Sequence, residues 1–288
     1  PAKTQPTLRG GPFSAAAGWS APVLWACGLE SSMTGDLNDQ HALVTGAGQG
    51  IGEAIARQLL EQGARVTVLG RRAEPLQKLV QEHPGQCQMV LADVADESQV
   101  EAAFEKAAAA QGAINILINN AGQAGSSPFM KMDAAHWQQM LAVNLSGTMY
   151  CIQQVLPAML ASGRGRIVNM ASTAGLVGYA YVAAYVAAKH GVVGLTRALA
   201  LEYAKTGITV NAVCPGYTET EIVKTSIDRV VAKTGRTPEQ AMAEFVKSNP
   251  QGRLVQPHEV ADAVLWLCGR GASSITGQAI AVAGGEVM

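Results

Sequence analysis

The sequence predicts an α/β fold built on a doubly wound parallel sheet, and three observations point to it. Short apolar runs rich in β-forming residues alternate with longer stretches of helical period from Gln40 onward. The first of these runs leads straight into a glycine cluster that opens a helical stretch. From residue 35 to 288 no internal repeat, low-complexity linker or charge block offers a boundary, so these residues read as one domain. Strands separated by helices need crossover connections, which are right-handed and lay helices on both faces of a parallel sheet.

In chain order the expected strands are 41–45, 65–69, 88–91, 114–118, 166–170, 209–213 and 279–282. The expected helices are 51–62, 73–82, 96–111, 133–161, 183–205 and 257–268, each carrying apolar residues at helical spacing. Between 217 and 256 the alternation breaks. Ile222, Val223, Val230, Met242, Phe245 and Val246 suggest two short amphipathic helices there, interrupted where Gly235 and Pro238 fall. An insertion after a strand's C-terminal end is where open α/β sheets place elements that cover a ligand, so 217–256 is expected to be a lid.

Composition supports a packed chain. With 48% hydrophobic and 15% charged residues among 288, it is the opposite of a disordered sequence. Twenty-one Lys+Arg against 22 Asp+Glu leave a net charge of −1, too little to attract a nucleic-acid backbone. Cys27, Cys87, Cys151, Cys214 and Cys268 are odd in number, scattered and without a C-x-x-C pair, and read as reduced packing residues of a cytoplasmic protein. His41, His83, His136, His190 and His258 fit no ligand spacing, so no metal site is expected.

Residues 1–34 differ from the rest. Lys3 and Arg9 precede an uncharged stretch from Gly10 to Leu29 that invites comparison with a secretory signal. Pro12, Pro22 and several glycines interrupt any helix, and the stretch lacks the roughly 20 unbroken apolar residues of a membrane span. It is expected to be an extension, disordered or introduced by processing or cloning, with Met33 as the start and no membrane contact. About 254 residues then remain, the length of one domain.

The glycine cluster carries the first chemical signal. Residues 41–52 read His-Ala-Leu-Val-Thr-Gly-Ala-Gly-Gln-Gly-Ile-Gly, placing Gly46, Gln49, Gly50, Ile51 and Gly52 between a strand and a helix. Glycines allow a tight turn and close backbone approach, and a helix N-terminus offers free N–H groups to a pyrophosphate. In a Rossmann-type fold an acidic residue about 20 residues on would bind the ribose 2′-hydroxyl of NAD. Here Gly70 stands at that place, followed by Arg71 and Arg72. A guanidinium pairs with a 2′-phosphate and no carboxylate opposes it, so NADP is favoured over NAD.

Tyr185 and Lys189 carry the second signal. Four residues apart on a helix, they share a face. A free phenol with pKa near 10 is ionised only about once in 10³ molecules at neutral pH, and a neighbouring cation is expected to lower that pKa and ready it for proton exchange with a carbonyl or hydroxyl. Ser172 follows the strand 166–170, at the edge where an open sheet meets its ligand.

With these groups in order, the chain resembles the short-chain dehydrogenases/reductases, in the subfamily with the pattern T-G-x-x-x-G-x-G. The resemblance runs from about Leu37 to Met288 and rests on residues 45–52, Asp93, Asn119-Asn-Ala-Gly122, Asn144, Ser172, Tyr185-x-x-x-Lys189 and Pro215-Gly216. It implies that Tyr185 is the general acid/base, that Ser172 orients the substrate oxygen, and that Lys189 lowers the tyrosine pKa and binds the nicotinamide ribose. It also implies that Asn144 distorts a helix and holds a water feeding a proton relay. Asp93 and Val94 would meet the adenine, and Asn120, Ala121 and Gly122 would lie beside the ribose. Pro215, Gly216, Thr218 and Thr220 would stand near the carboxamide. Asn119 either joins the ribose loop or ties adjacent strands. Hydride transfer with a tyrosine acid needs no metal.

The resemblance is nearest to 3-oxoacyl-thioester reductases and 3-hydroxyacyl or 3-hydroxybutyrate dehydrogenases. A dehydrogenase of a cyclic or aromatic secondary alcohol is the alternative, and the intact catalytic set argues against a non-catalytic scaffold. The small-molecule pocket is expected from Gln123, Ala124, Thr173, Ala174, Gly175, Leu176, Tyr179, Tyr217, Met242 and Phe245, with Lys224, Arg229 and Lys233 on the lid able to meet a carboxylate or phosphopantetheine. Family members are commonly homotetramers that pair the two long helices and the C-terminal strand. The small apolar residues Val186, Ala187, Val193, Ala198 and Leu201 suit either such pairing or the sheet.

Overall fold

A computed structural model describes residues 37–288, and the expectations for residues 1–34, Cys27 among them, lie outside the described residues. Among the described residues the strands β1 (His41–Thr45), β2 (Arg65–Gly70), β3 (Cys87–Leu91), β4 (Ile116–Asn119), β5 (Gly165–Met170), β6 (Ile208–Pro215) and β7 (Ala279–Val282) form one parallel sheet in the order β3-β2-β1-β4-β5-β6-β7. The order reverses between β1 and β4, which opens a crevice at the C-terminal strand ends. The helices α1 (Gly50–Glu61), α2 (Ala73–Glu82) and α3 (Glu97–Gln111) begin and end within a residue of their expected bounds, as does the later α9 (Pro257–Cys268). α9 starts on a capping box between Gln256 and Glu259.

The expected helix 133–161 runs without a break from 134 to 162 but is distorted at Asn144. α4 (Ala134–Leu141) passes through a π-helical turn, Ala142–Ser146, into α5 (Gly147–Ser162). The side-chain amide of Asn144 donates to the Met140 carbonyl at 2.9 Å from inside this turn. α6 (Ala183–Glu202) ends three residues early. Its buried stripe, Ala184, Ala188, Lys189, Val192, Val193, Thr196 and Ala200, faces inward. The small apolar set splits, with Val193 buried and Ala198 and Leu201 exposed. The 217–256 segment contains the two short helices expected, α7 (Glu221–Thr234) and α8 (Pro238–Val246), with Gly235 at φ +69° between them.

Each sheet face is covered by its own apolar cluster. Ile55, Leu59, Leu76, Val260 and Val264 from α1, α2 and α9 fill one side, and Phe104, Ile152, Val155, Met159 and Ala200 from α3, α5 and α6 fill the other. Cys87, Cys151, Cys214 and Cys268 are buried free thiols.

His41 is buried at the N-terminal end of β1. Its Nδ1 lies 2.7 Å from the Gly112 carbonyl and its Nε2 2.8 Å from Thr67 Oγ1, so the neutral ring donates to the carbonyl and accepts from the hydroxyl. Burial is the largest influence and lowers its pKa below the usual histidine value. Because the folded state holds the neutral form, stability from this group is present above about pH 6.5 and is lost as pH falls, by at most about 1.4 kcal/mol per pH unit. His41→Gln should therefore flatten the fall in melting temperature between about pH 7 and pH 5 relative to the parent. Parallel melting curves would show that His41 does not carry this dependence.

Candidate active site

The crevice holds a cleft of about 740 Å³ along the C-terminal ends of β1, β2, β4, β5 and β6. Every residue carried over from the sequence motifs lies on it: Gly46, Gln49, Gly50, Ile51, Gly52, Arg71, Asp93, Val94, Asn120, Ala121, Gly122, Asn144, Ser172, Tyr185, Lys189, Pro215, Gly216, Thr218 and Thr220. Asn119 is the exception. Its Nδ2 donates to Asn169 Oδ1 at 2.9 Å, tying β4 to β5, and Asn169 in turn donates to Thr196 on α6.

The glycine loop is cut to fit an anion. Gly46 and Gly50 take φ of +66° and +57°, in the left-handed region. A Cβ on Gly46 would lie 2.8 Å from the Ala121 Cα, and one on Gly52 would collide with Asn120 Nδ2 and the Gly46 carbonyl. Gln49 gives no side-chain cap to α1, which leaves its first-turn N–H groups facing the cleft for a phosphate. Thr45 and Asn120 lock the loop. Thr45 Oγ1 accepts from the Asn120 and Ala121 N–H groups at 3.0 and 2.9 Å, and Asn120 Nδ2 donates to the Thr45 and Gly46 carbonyls. Asn120 thus lines the cleft chiefly by holding its floor. The residues of this cradle fit an anionic cofactor group such as a pyrophosphate.

At the C-terminal end of β2, Gly70 places no carboxylate on the strand itself. Arg72 donates to Gln49 Oε1 at 2.7 Å, and Arg71, largely exposed, stands 3.5 Å from Asp93. At the other end Thr220 packs its methyl beside Gly50, and Thr218 Oγ1 donates to the Gly216 carbonyl at 3.0 Å.

The reaction centre forms where β5 and α6 meet. Ser172 starts a short 3-10 turn, Thr173–Gly175, its Oγ accepting from the Ala174 N–H at 3.1 Å. Lys189, only 4% exposed, donates to the Met170 carbonyl at 2.7 Å and stands 5.7 Å from the centre of the Tyr185 ring. Burial pulls the Lys189 pKa down to about 8. The i, i+4 spacing predicts a phenol whose pKa the lysine lowers; the structure differs. Burial is the largest influence on Tyr185 and raises its pKa, the Ser172 hydroxyl pulls it down, and the ammonium is turned toward the Met170 carbonyl.

Asn144 joins the cofactor loop to this centre. Its Nδ2 donates to the Gln123 carbonyl at 3.0 Å and its Oδ1 accepts from the Gln123 N–H at 3.2 Å. A Cβ on Gly122 would lie 2.9 Å from Asn144 Oδ1 and 3.5 Å from Lys189 Nζ, so any side chain there would crowd both.

One wall of the cleft is aromatic. Tyr179 and Tyr217 meet edge to face at 6.5 Å, and Tyr217 and Phe245 at 5.0 Å. Gln123, Ala124, Thr173 and Ala174 line the cleft as expected, and α7 adds Ile222, Ser226, Arg229, Val230 and Lys233. Four expectations are corrected. Leu176 packs into the cluster of Val192, Val193 and Cys214, Gly175 lies against the Lys189 backbone, and Met242 packs between α7 and α8. Lys224 points away, pairing with Glu221 at 3.0 Å. One residue escaped the sequence reading altogether. Glu286 accepts a hydrogen bond from Tyr179 at 2.6 Å, and only the preceding Gly284-Gly285 pair hinted at a turn there.

Among the described residues, no group of His, Cys, Asp and Glu is placed to hold a metal ion, and no helix is long and apolar enough to cross a membrane.

A family model described as short chain dehydrogenase matches residues 40–230. The chain belongs to this family of NAD(P)-dependent oxidoreductases. It is 40% identical over 260 residues to the cyclohexanol dehydrogenase of Acinetobacter sp. (strain SE19), covering 89% of this chain and 98% of that protein. Identity to the D-beta-hydroxybutyrate dehydrogenase of Rhizobium meliloti is 36% over 250 residues, covering 85% and 97%. A solved variant of actinorhodin polyketide ketoreductase with NADPH superposes with a TM-score of 0.83 at 40% identity, covering 88% of this chain and 99% of that one.

The buried ammonium has a measurable consequence. Between about pH 8 and the ordinary lysine value of 10.5 the unfolded state binds the extra proton, so stability from this group rises with pH across that window. At neutral pH its burial costs on the order of 3 kcal/mol. Lys189→Met should melt above the parent at pH 7, and that advantage should shrink as pH rises through the window. A variant that melts lower at pH 7, with a gap that ignores pH, would contradict it.

Proposed function

We propose that the chain is an NADP-preferring reductase/dehydrogenase that interconverts a ketone and a secondary alcohol at Tyr185. The single observation carrying this reading is the convergence of Ser172, Tyr185, Lys189 and Asn144 on one cleft beside the anion-binding loop. Residues 35–288 form the catalytic domain and 217–256 its lid.

When bound, the nicotinamide supplies or accepts the hydride at the carbonyl carbon. In reduction, the Tyr185 phenol donates its proton to the carbonyl oxygen, and its raised pKa keeps that proton in place until it is needed. Ser172 Oγ donates to the same oxygen and fixes its direction. As negative charge grows on the phenol oxygen, the buried Lys189 ammonium stabilises it. Asn144 holds the Gln123 backbone and the π turn, keeping Gly122 against Lys189. The relay water expected of Asn144 would sit on its main-chain carbonyl, because its side chain is engaged by backbone.

The preference for NADP draws support from Gly70 and from the two arginines at the adenine end. A charge-assisted pair with a phosphate contributes about 1.5–3 kcal/mol, so Arg71→Ala should raise the KM for NADPH by about tenfold or more and leave that for NADH nearly unchanged. Equal losses with both cofactors would contradict the preference.

The substrate is a 3-oxoacyl or 3-hydroxyacyl thioester or a related 3-hydroxy acid, supported by the likeness to a polyketide ketoreductase and a hydroxybutyrate dehydrogenase. The aromatic wall of Tyr179, Tyr217 and Phe245 and the likeness to a cyclohexanol dehydrogenase favour a cyclic alcohol as the second reading. Reduction of an acetoacetyl thioester and of cyclohexanone, followed by nicotinamide absorbance, separates them. The first reading expects the larger kcat/KM for the thioester, the second for the ring, and turnover of neither would overturn both. The exposed Leu201 on α6 and Trp266 on α9 support assembly as a homotetramer, and the free buried cysteines support a cytoplasmic setting.

A further inference from the structure

A carboxylate stands behind the substrate wall that the reading above leaves unused. After β7 the chain turns through Gly284 and Gly285, at φ +61° and +92°, and the Glu286 N–H donates to the Ala283 carbonyl at 3.1 Å. Two successive left-handed residues fold the tail back on itself. The turn packs on Asn249 and Pro250, where a Cβ on Gly284 would strike the Asn249 side chain. It sets Glu286 over Gly216, its Oε2 only 2.7 Å from where a Cβ there would stand, so the absence of a side chain at 216 makes room for it.

The Tyr179 hydroxyl donates to Glu286 Oε1 at 2.6 Å and lies 2.9 Å from Thr173 Oγ1, one residue on from Ser172. Tyr179, Tyr217 and Gly216 all line the cleft, so the carboxylate lies directly behind its surface. Among the described residues no cation lies within ion-pair distance of Glu286. Its charge reaches the cleft wall: after burial, Glu286 is the next influence that raises the Tyr217 pKa. The cations on this part of the cleft are Lys189 and, on α7, the exposed Arg229 and Lys233.

We infer that Glu286 determines substrate charge: held to the wall by Tyr179, its carboxylate excludes ketones with a free carboxylate beside the reacting carbon and selects neutral ones, such as esters, thioesters and cyclic ketones. Like charges facing each other across a partly desolvated wall repel far more than in water, and rejection of the wrong partner is how such a wall discriminates. Glu286 acts by its charge on the choice of substrate, and Tyr179 fixes where that charge stands. The inference rests on the ketone-reductase reading of the site and narrows it, removing free 3-oxo and 3-hydroxy acids from the substrates.

The test compares kcat/KM for methyl acetoacetate and for the acetoacetate anion, with NADPH, in the full chain at neutral pH. The parent should favour the ester by about tenfold or more. Glu286→Gln, which keeps an acceptor for Tyr179 but removes the charge, should narrow that ratio at least several-fold by raising kcat/KM for the anion, and Glu286→Asp should restore it. A parent that reduces the anion as well as the ester overturns the inference without any variant, and so does an unchanged ratio in Glu286→Gln. If the parent reduces neither the esters and thioesters nor cyclohexanone, the reductase reading fails and the inference falls with it.

Discussion

The site depends on one buried cation. Lys189 lies almost wholly out of water, and its ammonium is held by a strand-end carbonyl, Met170, at 2.7 Å. An ammonium so placed is unfavourable on its own, so each neighbour has to be kept at a fixed distance. The register of α6 turns Lys189 inward with Ala188 and Val192, β5 presents the Met170 carbonyl, and Gly122 leaves room in front of Nζ. The π turn at Asn144 is part of the same constraint. It directs an amide onto the Gln123 backbone and so fixes the loop that carries Gly122.

The sheet brings these parts to one place. Because strand order reverses between β1 and β4, the loops after both diverge and leave a crevice at their C-terminal ends. Thr45 at the end of β1 and Asn120 just after β4 then bridge that crevice with four hydrogen bonds, which tie the glycine loop to the loop after β4. The Asn119–Asn169–Thr196 chain continues the bracing through β5 to α6. The glycine loop and the helix that carries Tyr185 are thereby held in a common frame, as the proposed hydride transfer between bound partners requires.

Much of this is legible in the residues alone, because it rests on local patterns. Alternating apolar runs mark the strands, glycines at 46, 50 and 52 mark the loop, and the four-residue step from Tyr185 to Lys189 marks a shared helix face. What is not legible depends on tertiary surroundings. The resemblance implies a distortion at Asn144, but its form, a π turn over Ala142–Ser146, is not written in those residues, since Asn144 also bonds the Gln123 backbone 21 residues away. The direction of the Tyr185 shift follows from burial outweighing the Ser172 hydrogen bond, and burial is a property of the packed site. Met242 and Leu176 share the apolar character of cleft residues, and only packing assigns them elsewhere. Glu286 meets Tyr179 across 107 positions, beyond any motif.

In the proposed reaction Tyr185 exchanges the substrate proton in a cleft whose cofactor cradle is built independently of it. Tyr185→Phe separates the two, because the phenyl ring fills the same space and lacks only the hydroxyl. The direct measurement is ketone turnover beside cofactor affinity by fluorescence titration for this variant. A loss in kcat of about 10²–10⁴ with cofactor affinity nearly unchanged is expected. An undiminished rate, or a loss explained wholly by weakened cofactor binding, would contradict it.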